Sequence, residues 1–223
     1  MIVILRFFRR VYVFIFRGRV YEFVIKNISF FSPVYQTRNN ESPVNVRELI
    51  RFAISNNSKP YWPVHPTSTI RGSWKNVYVG IDAAPGISPG CYILALGKVY
   101  IDDYAQIAPN VGILSANHFM LDIRDHVLGE VRIGKYSRIG MGSIIHPGVV
   151  LGDFTTVAAG SVVTTSFPNG YCVVAGNPAT IVKDYSDNPR IREKFLRYKN
   201  EFEYNGFIPS KDFELFRKKN LLV

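Results

Sequence analysis

Four histidines, His65, His118, His126 and His146, are the side chains of this 223-residue chain best suited to moving a proton near neutral pH. His118 ends the run Ser115-Ala116-Asn117-His118, and Asp122, Asp125 and His126 follow within eight residues. A histidine, with an ordinary pKa of about 6.5, is often neutral at cellular pH and can take the proton from a hydroxyl as that oxygen attacks a carbonyl. A nearby carboxylate can orient the ring and stabilise the imidazolium that forms. Spacing does not choose between the two aspartates; Asp122 is carried forward as the catalytic partner, with Asn117 and His126 as substrate contacts. Cys91 and Cys172, the only cysteines, lie far apart and make neither a disulfide framework nor a C-x-x-C metal clamp.

The element that would hold His118 announces itself as a period of six. Ile133, Ile139, Ile145, Leu151, Val157 and Val163 follow one another in unbroken steps. One residue after each come Gly134, Gly140, His146, Gly152, Ala158 and Thr164, and four after come Ser137, Ser143, Val149, Thr155 and Ser161. Ile101, Ile107 and Ile113 keep the step upstream, as do Ile81, Ile87 and Ile93, with Val64 and Ile70 before them. Neither a helical nor a simple strand period produces this. Short strands joined by tight turns do, with three hexads closing a triangular coil and stacked coils burying every sixth residue. His118 falls where the step halts, before an insertion over 119–132, so a rigid rung is expected to present it into a loop.

The pattern [LIV]-[GA]-x-x-[STAV]-x over residues 60–183 resembles the hexapeptide-repeat acyltransferases. The likeness sharpens at Pro85-Gly86-Ile87-Ser88-Pro89-Gly90, at Ile107-Ala108-Pro109-Asn110-Val111, at Ser115-Ala116-Asn117-His118 and at Ala175-Gly176-Asn177-Pro178-Ala179. Together these motifs resemble the branch that O-acetylates polysaccharide or lipopolysaccharide sugars, related to the galactoside and streptogramin acetyltransferases. The resemblance implies a mainly β fold, a left-handed parallel β-helix, working as a homotrimer with active sites between subunits and acetyl-CoA as co-substrate, without a metal. It implies His118 as general base and the Met141 N–H as oxyanion donor. It also implies donor contacts from Gly142, Ala159, Gly160, Thr164, Thr165, Asn177, Pro178 and Lys183. Arg138, where the family commonly has Trp, and Thr164-Thr165, where a Thr-Lys pair is common, depart from the pattern on the donor side. His146 reads as a rung side chain and His65 as structural.

Flanking the repeats, residues 1–60 form an arm with a connecting helix and residues 184–223 a helical tail. The net charge is +10, but residues 1–26 hold six basic groups and one acid. At 100° per residue Arg6, Arg10 and Arg17 fall within about 40° of one another, with apolar and aromatic residues around the rest. No uncharged run approaches bilayer-spanning length, and no signal-peptide pattern is seen. Residues 1–17 therefore read as an amphipathic helix on an anionic membrane surface, or one packed on protein, in a cytoplasmic protein peripheral to the inner face of the membrane. A basic arm beside a nearly neutral body argues against nucleic acid. Asn45-Val46-Arg47-Glu48 has capping-box spacing ahead of a helix. Ile191, Phe195, Tyr198 and Phe202 have helical spacing in the tail, which is expected to cover the last rung.

The acceptor expected from the resemblance is a hydroxyl of a cell-surface glycan or glycolipid precursor. An N- or O-acyltransferase acting on a nucleotide sugar or small molecule is the alternative, followed by a non-catalytic scaffold. A zinc-dependent β-helix hydratase would need three histidines on facing rungs; the surroundings of His118, His126 and His146 do not resemble that family.

Overall fold

The computed structural model describes residues 19–38, 43–54, 60–190, 193, 204–205 and 207–223. The arm over 1–17 and all of the tail's helical stripe over 191–203 except residue 193 lie outside these residues.

Residues 69–176 wind as a parallel β-helix with three faces. Strands Thr69–Gly72, Tyr92–Ala95, Gly112–Leu114, Ile144–Ile145 and Val162–Val163 stack in parallel on the first. Gln106–Ile107, Arg138–Ile139, Thr156–Val157 and Cys172–Gly176 form the second. Val77–Val79, Lys98–Ile101, Glu130–Ile133 and Val150–Leu151 form the third. The register puts the six-step aliphatics above one another: Ile93, Ile113, Ile145 and Val163 in one column, and Val79, Ile101, Ile133 and Leu151 in another. All are buried, so each coil removes apolar surface from water by covering the coil beneath it.

The small residues four places on explain themselves in the same way. Ser137, Ser143 and Thr155 are buried at the coil turns, and their hydroxyls donate to the Gly152, Ala158 and Gly152 carbonyls respectively. These hydroxyls are thereby satisfied inside the turns, where an unpaired buried polar group would be costly.

Three residues after the anchoring aliphatic, the backbone turns through positive φ at Gly90, Tyr104, Asn110, Tyr136, Gly142, Gly148, Phe154 and Gly160. These turns stack into the edges of the prism. On one edge Asn110 N–H donates to Pro89 O, Gly142 N–H to Pro109 O and Gly160 N–H to Met141 O. On a second edge the left-handed residues are aromatic: Tyr104 lies on Tyr136 at 4.8 Å and Tyr136 on Phe154 at 4.7 Å. Ring contact there offsets the strain of a non-glycine residue in that region.

The third edge carries the insertion, which starts and ends three to four residues earlier than the periodicity suggests. Ala116–Phe119 and Asp122–Leu128 pair antiparallel as a hairpin, and Gly129 N–H closes its base on Ser115 O at 2.7 Å. The coil resumes at Glu130, paired with Lys98, rather than after residue 132. The next anchor, Ile133, marks where the hexad phase is readable, three residues after the strand has started.

Before the coils, helix Val46–Ile54 carries the reciprocal cap its sequence implies: Asn45 N–H donates to Glu48 Oε2 and Glu48 N–H to Asn45 Oδ1, both at 3.0 Å. After them, helix Ser210–Asn220 returns to the start of the prism. Its buried Phe213 packs on Tyr61 and Tyr78, and Leu222 N–H donates to Lys75 O. This part of the tail covers the first coil. The last coil instead continues into the antiparallel pair Cys172–Gly176 and Ala179–Asp184, which covers part of its edge.

Candidate active site

His118 sits on the outgoing strand of the hairpin, exposed, with His126 as its cross-strand partner. The two rings are 4.6 Å apart between centroids and tilted by 42°. His118 Nδ1 lies 2.6 Å from the Ile123 carbonyl oxygen. A carbonyl can only accept, so Nδ1 carries the hydrogen, and in the neutral ring Nε2 then holds the lone pair. In that tautomer the ring has the form a base needs, on the exposed hairpin.

The orienting group is a backbone carbonyl, not a carboxylate. Asp122, expected to steady the imidazole, is turned to Arg124, which reaches both of its oxygens through Nε and Nη2. The Arg124 guanidinium holds the Asp122 carboxyl below the usual carboxylate range. The two residues stand two apart on the exposed strand, so their side chains share one side of the hairpin. Asp125 makes no contact with His118 among the described residues. Asn117 is exposed beside His118, paired across the hairpin with Val127.

The other expected site residues lie elsewhere. Met141-Gly142 and Ala159-Gly160 are successive turns of the glycine-bearing edge, exposed and stacked. Nothing lies within 4 Å of where a Cβ would project from Gly142 or Gly160. Among the described residues the Met141 N–H makes no hydrogen bond, while its carbonyl accepts from Gly160. This is a free, outward donor on an open strip of backbone, which suits close approach by an extended ligand. Thr164 and Thr165 are exposed at the approach to the hairpin edge. Asn177, Pro178 and Lys183 lie exposed on the closing antiparallel pair, with Lys183 Nζ 5.1 Å from the centre of the Tyr185 ring. Six residues of near-extended chain separate Met141 from Pro147 at the hairpin edge, about 15–20 Å. Within one chain, therefore, His118 and Met141 belong to different edges and are not brought together.

His146 is half-buried on the first face and its N–H donates to Val163 O. His65 pairs with Thr67 at 2.9 Å, beside the first coils. His146 is thus a rung residue, and His65 lies in the turn ahead of the first strand. Among the described residues no cluster of three or more His, Cys, Asp or Glu side chains could hold a metal.

This architecture has relatives. The family described as bacterial transferase hexapeptide (six repeats) matches residues 130–165. Nodulation protein L of Rhizobium meliloti (strain 1021) is 40% identical over 126 residues, which cover 53% of this chain and 68% of that protein. The chain belongs to the hexapeptide-repeat transferases. WbbJ of Escherichia coli (strain K12), named for O-acetyl transfer in lipopolysaccharide biosynthesis, is 31% identical over 120 residues, 53% of this chain and 61% of WbbJ. Six curated relatives, WbbJ among them, are spanned over only 46–62% of their own length. A solved galactoside acetyltransferase in complex with coenzyme A shares the fold, with TM-score 0.54 and 23% identity over 79% of this chain and 86% of that one. The prism is thus the left-handed parallel β-helix of the hexapeptide transferases, and its coils are the part this chain has in common with them.

Proposed function

We propose that this hexapeptide transferase is an acetyl-CoA-dependent O-acetyltransferase that modifies a hydroxyl of a cell-surface glycan or its lipid-linked precursor. The observation that carries the reading is His118: an exposed imidazole with Nδ1–H fixed on a carbonyl and Nε2 free, in the Ala-Asn-His segment where the family keeps its base. Nε2 takes the acceptor proton as the sugar oxygen adds to a thioester carbonyl. The Met141 N–H donates to the oxyanion, and the imidazolium returns the proton to the departing thiolate. Acetyl-CoA supplies the activated acyl group. The open strip at Gly142 and Gly160 fits its extended arm, with Ala159, Thr164, Thr165, Asn177, Pro178 and Lys183 as further contacts. Names among the relatives support the donor and acceptor classes: WbbJ for lipopolysaccharide, and the fold neighbour solved with coenzyme A.

Because His118 and Met141 stand on different edges of one chain, the reaction needs a second copy. The first face, between those edges, supports one. On its outward side Tyr92, Gly112, Ile144 and Val162 form a row that is apolar beyond Thr69 at its start, and Leu94 and Leu114 lie beside it with Arg71 at their end, whereas the third face turns Lys98, Tyr100, Glu130 and Arg132 outward. Burying such a row against a neighbour in a closed ring of three sets the base edge of one copy against the donor edge of the next.

The arm over 1–17 is proposed to rest on an anionic membrane. Its charge supports this, as do the exposed side chains just after it, Phe23 at 66%, Ile28 at 45% and Phe30 at 47%. Among the described residues no helix is long and apolar enough to cross a membrane. The second reading, acylation of a nucleotide sugar, is favoured by one relative, a dTDP-4-amino-4,6-dideoxy-D-glucose acyltransferase. Mass spectrometry of surface glycans with and without the protein separates the two. Loss of an acetyl from the mature glycan alone supports the first, and unacetylated nucleotide sugar accumulating in the cytosol supports the second.

A further inference from the structure

The hairpin presents two imidazoles, and the proposed reaction uses one. We propose that His118 and His126 together form a two-imidazole chelate for a divalent transition-metal ion such as Zn2+, and that its occupancy inhibits the enzyme by capturing the base.

The geometry points to this in three ways. First, the separation fits. A metal-bound imidazole nitrogen sits about 2.0–2.1 Å from the ion and the ring centre about 1.1 Å further, so two such rings at angles of about 90–110° have centres roughly 4.5–5.2 Å apart. The His118 and His126 centroids are 4.6 Å apart. They are direct cross-strand partners in the antiparallel hairpin, which fixes that spacing in the backbone.

Second, the tautomer fits. An imidazole that ligates a metal through one nitrogen commonly donates its other N–H to a carbonyl or carboxylate, which orients the ring and raises its basicity. His118 Nδ1–H on Ile123 O is such a bond and leaves Nε2 as the ligating atom. The lone pair that would take a proton from an acceptor is thus the one a metal ion would bind.

Third, the surroundings permit entry. Both histidines are exposed, so water can complete the coordination shell. Arg124, the nearest cation in sequence, is tied to Asp122. With no third protein ligand among the described residues, the ion exchanges with solvent and acts as an inhibitor. It is not a resident cofactor. Borderline-soft ions that favour imidazole are accepted, and Mg2+, which demands oxygen ligands, is not.

The test uses the untagged full chain after treatment with a chelator. Calorimetric titration with Zn2+ is expected to show one site per chain and with Mg2+ none. His118→Asn and His126→Asn each weaken Zn2+ binding at least about tenfold, and His65→Asn and His146→Asn leave it unchanged. The imidazole NMR resonances of His118 and His126 shift together on Zn2+ addition to the unaltered protein, a readout that needs no variant. Binding that survives both hairpin substitutions, or resonances of His65 or His146 moving instead, overturns the site. Inhibition rests on the base reading above and is scored separately: Zn2+ should abolish acetyl transfer at the occupancy calorimetry reports, and EDTA should restore it. Binding at the pair without inhibition would contradict the assignment of His118 as base while leaving the chelate standing.

Discussion

Along one edge of the prism the chain turns at Pro89-Gly90, Pro109-Asn110, Met141-Gly142 and Ala159-Gly160, each turn bonded to the one before. Along another, between Ser115 and Gly129, the same chain leaves the coil and returns as an exposed hairpin. The first edge is stiff because each turn is locked by its neighbours, and open because Gly142 and Gly160 place no side chain outside. The hairpin edge is closed at its base by Gly129 N–H on Ser115 O, and side chains fill its surface: Met120 is 91% exposed, Leu121 86% and Ile123 74%. A bare backbone strip can admit a long ligand along its length. A projecting hairpin can carry one imbalanced, chemically active group across a gap. Neither does the proposed chemistry alone, and in the proposal above the two edges meet from different copies.

The largest effect expected on this division of labour is from the hairpin's base. His118→Ala should lower kcat for acetyl transfer by about 10²–10⁴ with the donor KM nearly unchanged, measured by steady-state thiol release. A loss confined to KM would make His118 a binding residue. Next in size is the framework common to both edges. Ile139 is buried at the axis, and Ile139→Ala should cost about 2–5 kcal/mol of stability by denaturant titration.

The glycine edge should respond differently. Gly160 has φ +70° with free space outside, so Gly160→Val strains the backbone by about 1–2 kcal/mol and places a branched side chain over the strip. The expected signature is a donor KM raised by roughly tenfold with the His118-dependent step intact once saturated. The smallest effect belongs to Asp122. Its carboxylate serves Arg124, not His118, so Asp122→Asn should change kcat by less than about tenfold, far below the loss of a general base. A fall matching His118→Ala would restore the aspartate to the catalytic role its spacing suggests.

The prism was legible because its physics repeats. Every sixth residue from Ile133 to Val163 must be apolar to be buried, and as far as Ser161 the residue four after an anchor is small and buried, in most cases a Ser or Thr, so the constraint prints itself on the sequence. A further regularity was there to be read: at eight of the turns the residue three after the anchor takes positive φ, Gly142 and Gly160 as well as Tyr136 and Phe154. Aromatics hid it, since propensity alone would not place them there. The hairpin was legible only as a break. Exposed residues answer to no packing partner in the chain, so neither its bounds nor its strand pairing left a periodic mark. The group that orients His118 could not be read at all, because it is the carbonyl of Ile123, and any residue brings one. The helix Ser210–Asn220 falls within the tail expected to be helical, but its bounds and its place on the first coil were not legible, for a related cause. Its one buried side chain, Phe213, is fixed by Tyr61 and Tyr78, more than a hundred residues away in sequence.

Mixing two disabled versions of the chain puts the shared site to its most direct test. His118→Ala keeps the open edge and Gly160→Val, assayed below its raised donor KM, keeps the base; co-expressed under distinguishable tags, they can assemble in mixed rings. With random assembly into threes, about a quarter of the sites would combine an intact imidazole with an intact neighbouring strip, and acetyl transfer should recover to that level. Mixed rings isolated through both tags that remain as inactive as either parent would contradict it.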